Sequence, residues 1–350
     1  METTVNTASK RYTVKIGRGL LRCIGKHLAE TVDAGKVVLV TDDTVEKLYG
    51  NIVETSLTKC GFAVKRFTVA HGERSKNAEN YIALLNYAAR EQLCRKDMIL
   101  ALGGGVVGDL AGFAAATFLR GIRFVQVPTT FLAMVDSSVG GKTSINLDAG
   151  KNLAGAFYQP DAVICDVDAL ATLPKEIFLD GVAEVIKYGA IGDAKLLDSL
   201  GSAGNMDTEM LIARCVTMKA EIVSRDERDL DVRQLLNFGH TVGHGVEAAS
   251  DYAISHGHAV AIGMSVFARA AEKTGVCAPE VCREIVDVIK KNGLPVHCAF
   301  GADALYSAAL SDKKNVGGSI VVVLPERRGS CGLHKVTHER LRELIALGLE

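Results

Sequence analysis

The segment DMILALGGGVVGDLAG, residues 97–112, decides the fold. Its first half is an apolar run of strand length, and Gly103, Gly105 and Gly108 then follow in the spacing G-x-G-x-x-G. A glycine turn between a strand and a helix lets backbone N–H groups surround a pyrophosphate, although a plain tight turn has the same sequence. The segment therefore predicts a strand, a turn and a helix of an α/β domain.

Five more β-branched runs alternate with helical patterns around this segment. They lie at residues 11–16, 36–41, 63–69, 123–128 and 162–167, and helical periodicity is clearest in residues 77–92. Such alternation predicts a parallel sheet with helices on both faces, whose ligands bind at the carboxyl ends of the strands. The glycine turn follows the fourth predicted strand, whereas a Rossmann fingerprint usually follows the first.

After residue 174 the pattern changes to long helical periodicity, seen in residues 213–223 and 235–250. One late β-branched run, SIVVVLP at residues 319–325, is followed by CGLHKV and predicts a hairpin. We therefore predict a Rossmann-like α/β domain over residues 1–174 and a mainly α-helical domain over residues 175–350.

Composition excludes several classes of protein. The 350 residues carry a formal net charge of −1 without a basic run, which argues against a nucleic-acid binder. The N-terminus lacks the apolar core of a signal peptide, and no apolar stretch is long enough for a membrane helix. Nine cysteines without a CxxC pair indicate reduced thiols in a cytoplasmic protein.

Four of the nine histidines lie within residues 240–258. His240 and His244 are spaced i, i+4 and share one face of a helix, and His256 follows at the predicted start of the next helix. Imidazoles with one carboxylate suit a catalytic Zn²⁺, although satisfied core or capping histidines would give the same pattern. Thr241 stands where the glutamate of HExxH would be, which argues against a metallopeptidase.

Two further segments place charges in unusual surroundings. Glu184 and Lys187 lie i, i+3 in the apolar run GVAEVIKYGAI, either as an ion pair or as a metal ligand beside a cationic substrate contact. Residues 135–152, VDSSVGGKTSINLDAGKN, predict a long functional loop, with a solvated turn as the alternative. This segment is not a P-loop, because Asp136 occupies the position of its first glycine.

Together these segments resemble the 3-dehydroquinate synthases. HGERSK (71–76), GGGVVGDLAGFAAATFLRGIRFVQVPTT (103–130), MVDSSVGGKTSIN (134–146), GVAEVIKYG (181–189), LLNFGHTVGHGVE (235–247) and HGHAVAIGM (256–264) occur in family order. The resemblance implies that 3-deoxy-D-arabino-heptulosonate 7-phosphate, a small anionic sugar phosphate, is closed to a carbocycle in the shikimate pathway. It also implies that NAD is used catalytically and that zinc, with Co²⁺ as a substitute, polarises the substrate.

The resemblance implies a site residue by residue. The metal ligands would be Glu184, His240 and His256. The residues around NAD would be Asp42, Glu73, Lys76, Gly104, Gly105, Val106, Val107, Gly108, Asp109, Thr129, Thr130, Lys142 and Lys151. The substrate pocket would contain Asp136, Lys142, Asn152, Lys187, Lys219, Arg233, Asn237, His244 and the pair Lys313 and Lys314. Arg120 would reach the phosphate from a neighbouring subunit, which implies a homodimer. His258 departs from the acidic residue that the family usually has there.

Three rival interpretations stay open. Other sugar-phosphate cyclases make inosose or valiolone rings from substrates without the carboxylate, and Arg233 with Asn237 favours dehydroquinate over these. A metal-dependent polyol dehydrogenase would lack GGKTSIN and LNFGHTVGH, both of which this chain has. A non-catalytic metal-binding descendant would have lost a zinc ligand or a pocket lysine, and this chain retains them.

Overall fold

The computed structural model describes residues 1–201, 207–310 and 318–350. Its strands are β1 (Glu2–Asn6), β2 (Arg11–Gly17), β3 (Lys36–Asp42), β4 (Ala63–Val69), β5 (Met98–Gly103), β6 (Arg123–Pro128), β7 (Lys142–Leu147), β8 (Gly150–Phe157), β9 (Ala162–Asp166), β10 (Ser319–Arg327) and β11 (Ser330–Thr337). Its α-helices are α1 (Leu20–Ala29), α2 (Asp43–Val45), α3 (Asn51–Lys59), α4 (Ala78–Arg90), α5 (Gly105–Thr117), α6 (Lys175–Gly192), α7 (Ala194–Gly201), α8 (Thr208–Arg225), α9 (His240–Ala249), α10 (His256–Lys273), α11 (Pro279–Lys291), α12 (Ala302–Leu310) and α13 (His338–Leu349). Among the described residues, no helix has the length and apolar character needed to cross a membrane.

Seven strands form one sheet in the order β1-β2-β9-β6-β5-β3-β4. Only β1 pairs antiparallel, so the predicted parallel sheet is confirmed and gains an edge strand that the sequence patterns did not reveal. Every residue of β5 is buried, as expected of a strand covered on both faces. The strand order reverses between β3 and β5, and a crevice for ligands forms at the carboxyl ends of strands at such a point.

The prediction of a long loop over residues 135–152 is wrong for the second half of this segment. Residues Lys142–Leu147 and Gly150–Phe157 form an antiparallel hairpin, with Ser144 opposite Gly155. The strands are only partly buried, and their glycines, lysines and aspartate weaken the alternation that marks a strand. The segment is therefore an ordered platform beside α5, which packs against β7.

The chain divides into two compact units, each built from two separate stretches of the sequence. The first comprises Met1–Leu173 and Thr208–Arg228, and the second Pro174–Asp207 and Asp229–Glu350. The division predicted at residue 174 gave α8 to the second domain, whereas α8 packs on β1 and β2 of the first unit. An amphipathic pattern shows that one helix face is buried but does not show which element covers it.

The second unit is built around α10, which confirms the predicted helical character of this part of the chain. Helices α6, α9, α11 and α13 pack on α10, and β10 and β11 form the predicted hairpin. Glycines permit the closest approach, because a Cβ at Gly263 would lie 1.9 Å from the carbonyl oxygen of Gly239. Gly239 has a φ of 80°, a left-handed value that glycine adopts without strain, and α9 begins directly after it.

Candidate functional site

A buried carboxylate occupies the middle of α6. Glu184 exposes 0% of its surface, and Lys187, one turn later, forms an ion pair with its Oε2 at 1% exposure. Neither oxygen of Glu184 accepts a well-directed hydrogen bond from any described residue. Burying a carboxylate is costly unless positive charge and hydrogen-bond donors compensate for its lost hydration. Glu184 therefore has the capacity to bind a further cation.

Two imidazoles from α9 and α10 point at this carboxylate. The Nε2 atoms of His240 and His256 lie 3.6 and 3.5 Å from Oε1 of Glu184, and one ligand atom from each of the three residues lies within 4.8 Å of the others. Nδ1 of His240 is 3.2 Å from the carbonyl oxygen of Phe238, which accepts only. We therefore assign the ring proton of His240 to Nδ1, which leaves the lone pair of Nε2 facing Glu184.

The pKa values of His240 and His256 are shifted in opposite directions. Burial lowers the pKa of His240 well below its usual value, and Lys187 and the neighbouring imidazoles lower it further, so this ring is neutral. Burial also disfavours the charged form of His256, but the adjacent carboxylates of Glu184 and Glu247 outweigh it and raise the pKa of His256 to about 10. A bound metal would displace that proton from His256.

This donor set fits a divalent metal. One carboxylate and two imidazoles are the ligands of catalytic zinc sites, which leave a coordination position for substrate or water, and Co²⁺ accepts the same set. His244 lies beside the cluster, its ring centroid 5.6 Å from that of His240 and 6.1 Å from that of His256. A second group of possible ligands, His244, Glu247 and His256, also lies within 4.8 Å, so His256 is common to both groups.

Outside the metal cluster, the second unit holds two predicted substrate residues on one short helix. Arg233 and Asn237 lie on the 3-10 helix Val232–Asn237, directly before His240. Arg233 is 1% exposed, which is unusual for a guanidinium group. Lys313 and Lys314 lie outside the described residues.

The predicted cofactor residues of the first unit follow the carboxyl ends of adjacent strands. Asp42 ends β3, and its Oδ1 accepts hydrogen bonds of 2.9 Å from the backbone N–H groups of Thr44 and Val45. Thr129 and Thr130 follow β6. These positions adjoin the reversal of strand order, where a nucleotide would be expected.

Helix α5 begins with the glycine turn, and its N-terminus has no side-chain cap. A Cβ at Gly104 would lie 3.0 Å from Cγ2 of Thr130, and one at Gly105 would lie 3.1 Å from Oγ of Ser137. Gly104, Gly105, Val106, Val107, Gly108 and Asp109 thus form a turn and the start of a helix, where the backbone N–H groups of Gly105, Val106 and Val107 have no acceptor within the helix and that of Gly108 donates to the carbonyl oxygen of Gly104 at 3.0 Å. This geometry fits the pyrophosphate of NAD.

Lys76 contacts two other predicted residues. Its ammonium group is buried at 4% exposure and contacts the carboxylate of Asp109 and Oδ1 of Asn152. Asn146, which the sequence analysis did not single out, accepts from the backbone N–H of Asn152 at 2.9 Å and donates to Glu73 at 2.8 Å. Burial raises the pKa of Asp109, and Lys76 opposes that shift. One polar network thus links predicted cofactor and predicted substrate residues of the first unit.

Other predicted residues of the first unit lie on several different elements of the fold. Lys219 of α8 forms an ion pair with the carboxylate of Asp136 and also donates to its carbonyl oxygen at 2.8 Å. Lys142 and Lys151 lie on the hairpin, where Lys142 is exposed. Arg120 is exposed in a turn with a φ of 66°, a value that costs a non-glycine residue energy and is often found at functional positions.

Comparison with known proteins agrees with this geometry. A family model described as 3-dehydroquinate synthase N-terminal matches residues 66–180, and one described as 3-dehydroquinate synthase C-terminal matches residues 181–315. The chain belongs to the 3-dehydroquinate synthase family. A 3-dehydroquinate synthase from Clostridium kluyveri is 42% identical over 347 residues, covering 97% of this chain and 96% of its own.

Solved structures of sugar-phosphate cyclases resemble this family member closely. A 2-deoxy-scyllo-inosose synthase complexed with carbaglucose-6-phosphate, NAD⁺ and Co²⁺ has a TM-score of 0.89 at 25% identity, covering 99% of both chains. The 2-epi-5-epi-valiolone synthase of Streptomyces hygroscopicus subsp. jinggangensis, with NAD⁺ and Zn²⁺ bound, has a TM-score of 0.88 at 27% identity, covering 97% of this chain and 96% of its own. Each of these two structures contains NAD⁺ and a divalent metal, and residues of this chain form candidate sites for both groups.

Proposed function

We propose that this chain converts 3-deoxy-D-arabino-heptulosonate 7-phosphate into 3-dehydroquinate and inorganic phosphate, the ring-closing step of the shikimate pathway. The observation that carries the proposal is the buried carboxylate of Glu184 with His240 and His256 at ligand distance, in a chain that matches both the N-terminal and the C-terminal model of this family. The 42% identity to a 3-dehydroquinate synthase over nearly the whole chain supports this substrate over those of the other cyclases.

Each unit has a separate task in this proposal. When bound, NAD would supply reversible hydride acceptance at the C5 carbon of the substrate, and the metal would supply Lewis-acid polarisation of substrate oxygens. Glu184, His240 and His256 hold the metal in the second unit. The turn at Gly104 and Gly105 holds the pyrophosphate in the first unit, and Asp42, Thr129 and Thr130 surround the rest of the nucleotide.

Buried cations bind the anionic substrate. Lys187 and Arg233 are each 1% exposed, and burial strengthens the attraction between such a charge and an anionic ligand. The planar guanidinium of Arg233 suits the carboxylate, which it can hold by two parallel hydrogen bonds. His244 lies beside the ligand histidines and is assigned to a substrate oxygen. Asp136, Asn152, Lys219, Lys142, Lys151 and Asn237 complete the proposed set.

A homodimer and a cytoplasmic location belong to the same proposal. The left-handed φ of Arg120 on an exposed turn supports a role for that turn in contacting a neighbouring subunit. All nine cysteines are free in the structure, as thiols are in a reducing compartment. Mixing inactive Arg120→Ala and Lys187→Ala proteins tests the dimer, because mixed dimers would regain activity in one of their two sites. If mixing restores nothing while the two proteins exchange subunits, Arg120 does not act across the dimer.

The direct test of activity is turnover of the heptulosonate phosphate by purified protein with NAD and Zn²⁺. We expect dehydroquinate and phosphate in equal amounts, and neither from Glu184→Gln protein. Sugar phosphates without the carboxylate serve as the comparison. A clear preference for one of them would replace dehydroquinate synthesis by inosose or valiolone synthesis.

A further inference from the structure

Glu247 is a buried carboxylate that neither the cofactor set nor the substrate set contains. It lies on α9 at 4% exposure, one turn after His244 and next to the fully buried Val246. Burying a carboxylate in such apolar surroundings destabilises the fold unless a hydrogen-bond donor or a positive charge compensates for its lost hydration. Its Oε2 lies 3.1 Å from Nδ1 of His256, the nitrogen that does not face Glu184.

We infer that Glu247 is a positioning residue of the metal site: it accepts the Nδ1 proton of His256 and so directs the Nε2 lone pair of that ring to the metal. This inference rests on the proposed metal site. The donor inventory supports it, because a neutral imidazole has one N–H and one lone pair, and a carboxylate at Nδ1 assigns the proton there. His240 follows the same rule, with the carbonyl oxygen of Phe238 at its Nδ1. Both rings then present Nε2 to Glu184.

The backbone of Glu247 reinforces this role. Its carbonyl oxygen accepts hydrogen bonds from the backbone N–H of Tyr252 at 2.8 Å and from Oγ of Ser250 at 3.0 Å. These bonds fix the turn that leads from α9 into α10, where Asp251 and Tyr252 have left-handed φ values of 50° and 60°. One residue thus holds both the turn before His256 and the ring of His256. A ligand imidazole held at two points loses little rotational freedom when the metal binds.

A competing assignment makes Glu247 itself a ligand, with His244 and His256. The surroundings of the two carboxylates argue against it. Both oxygens of Glu184 lack a well-directed hydrogen bond from a described residue, whereas Oε2 of Glu247 already accepts one from His256. A metal on the Glu247 side would also need Nδ1 of His256 as its donor. The Nε2 atom of His256, which faces Glu184, would then bind no metal.

The test measures metal binding rather than turnover, so that it stands apart from the proposed activity. Affinity is determined by competition with a chelator for Zn²⁺, and the ligand set is monitored by the visible spectrum of the Co²⁺ protein. The variants are Glu247→Gln, Glu247→Ala and Glu184→Gln. The matched control is Glu326→Ala, since Glu326 also contacts a histidine, His334 at 3.2 Å, but on the β10–β11 hairpin.

We expect Glu247→Ala to weaken metal affinity about 10- to 100-fold, the usual effect of losing a carboxylate that orients a ligand histidine. Glu247→Gln retains an acceptor for Nδ1, so it should lose only severalfold and keep the wild-type shape of the Co²⁺ spectrum. Glu184→Gln should abolish tight binding, and Glu326→Ala should change nothing.

Four outcomes would overturn this inference. Wild-type affinity in both Glu247 variants would show that Glu247 is only a structural residue. Loss of metal in Glu247→Gln as complete as in Glu184→Gln, with a changed spectrum, would make Glu247 a ligand. If Glu247→Ala fails to fold, the metal affinity of the Glu247→Gln protein is the deciding measurement. A wild-type affinity in that protein would contradict the inference. Retention of full metal by Glu184→Gln would instead remove the proposed metal site, and with it the basis for Glu247.

Discussion

Asp180 accepts a hydrogen bond from the backbone N–H of His258 at 3.2 Å. The carboxylate also accepts from Oγ of Ser255 at 2.5 Å and lies 3.0 Å from Nδ1 of His258. Ser255 is the N-cap of α10 but makes no side-chain capping bond of its own, so Asp180 of α6 satisfies an N–H that the first turn of α10 would otherwise leave open. Because Asp180 precedes Glu184 by one turn, the same contact aligns α6 and α10, two of the three helices that carry the proposed metal ligands.

We therefore expect Asp180→Ala to loosen the start of α10 and to weaken metal binding. Loss of a capping acceptor costs about 1 kcal/mol, and it should raise the hydrogen-exchange rates of the first α10 amides. Asp303→Ala is the control, because Asp303 forms an exposed ion pair with Arg342 in the same unit and such pairs contribute little. Unchanged exchange and unchanged metal affinity in Asp180→Ala would contradict this role.

Removal of the metal should inactivate the protein reversibly. Chelation should lower the thermal midpoint, and either Zn²⁺ or Co²⁺ should restore both midpoint and activity; metal at a thousand times its dissociation constant stabilises a fold by about 4 kcal/mol. Glu184→Gln and His256→Ala should bind no stoichiometric metal, whereas His297→Ala, an exposed histidine of the same unit, should bind one per chain. Full metal in both ligand variants would show that the ligands are assigned wrongly.

Gly257 should tolerate no side chain. A Cβ there would lie 2.2 Å from Cα of Asp180, so Gly257→Ala must push α10 away from α6. We expect the variant to lose tight metal binding, measured by chelator competition. Gly301→Ala is the matched control, because nothing lies within 4 Å of a Cβ at Gly301. Wild-type affinity in Gly257→Ala would mean that the spacing of α6 and α10 does not set the site.

Arg233 should select for the substrate carboxylate. A charge-assisted hydrogen bond contributes about 1.5–3 kcal/mol, so Arg233→Ala should lower kcat/KM roughly 10- to 100-fold. The loss should be small for an analogue without the carboxylate, since that analogue never used the guanidinium. Arg233→Lys should fall between, because an ammonium group cannot bind bidentately. An unchanged preference between the two ligands would assign Arg233 a purely structural role.

The elements that carry a strong local signal were predictable from sequence. All six predicted strands appear, and in five of them the apolar residues are buried in the sheet, whereas the edge strand β4 buries only Val69. Strand β5 with α5 has the predicted strand–turn–helix form. The hairpin β7–β8 was missed because its strands are half exposed and rich in glycine. Helix α8 was given to the wrong neighbours because periodicity identifies a buried face without identifying its partner.

The candidate site, like the fold, could be predicted from the sequence only in part. The i, i+4 spacing of His240 and His244 and the buried pair Glu184 and Lys187 were visible as patterns, and the structure brings Glu184, His240 and His256 together. Asp180, Glu247 and Asn146 carried no such signal. Their roles depend on which nitrogen or N–H group of another element they face, and that requires the distance between helices or strands.

The most direct test of the central claim is to follow one reaction mixture for product and for the nicotinamide absorbance together. The mixture contains the protein, Zn²⁺, the heptulosonate phosphate and NAD in an amount far below that of substrate. We expect complete conversion to dehydroquinate and phosphate with no accumulation of NADH, because the hydride is returned within each turnover. Formation of NADH in proportion to substrate consumed, without dehydroquinate, would contradict the account and show the protein to be a dehydrogenase.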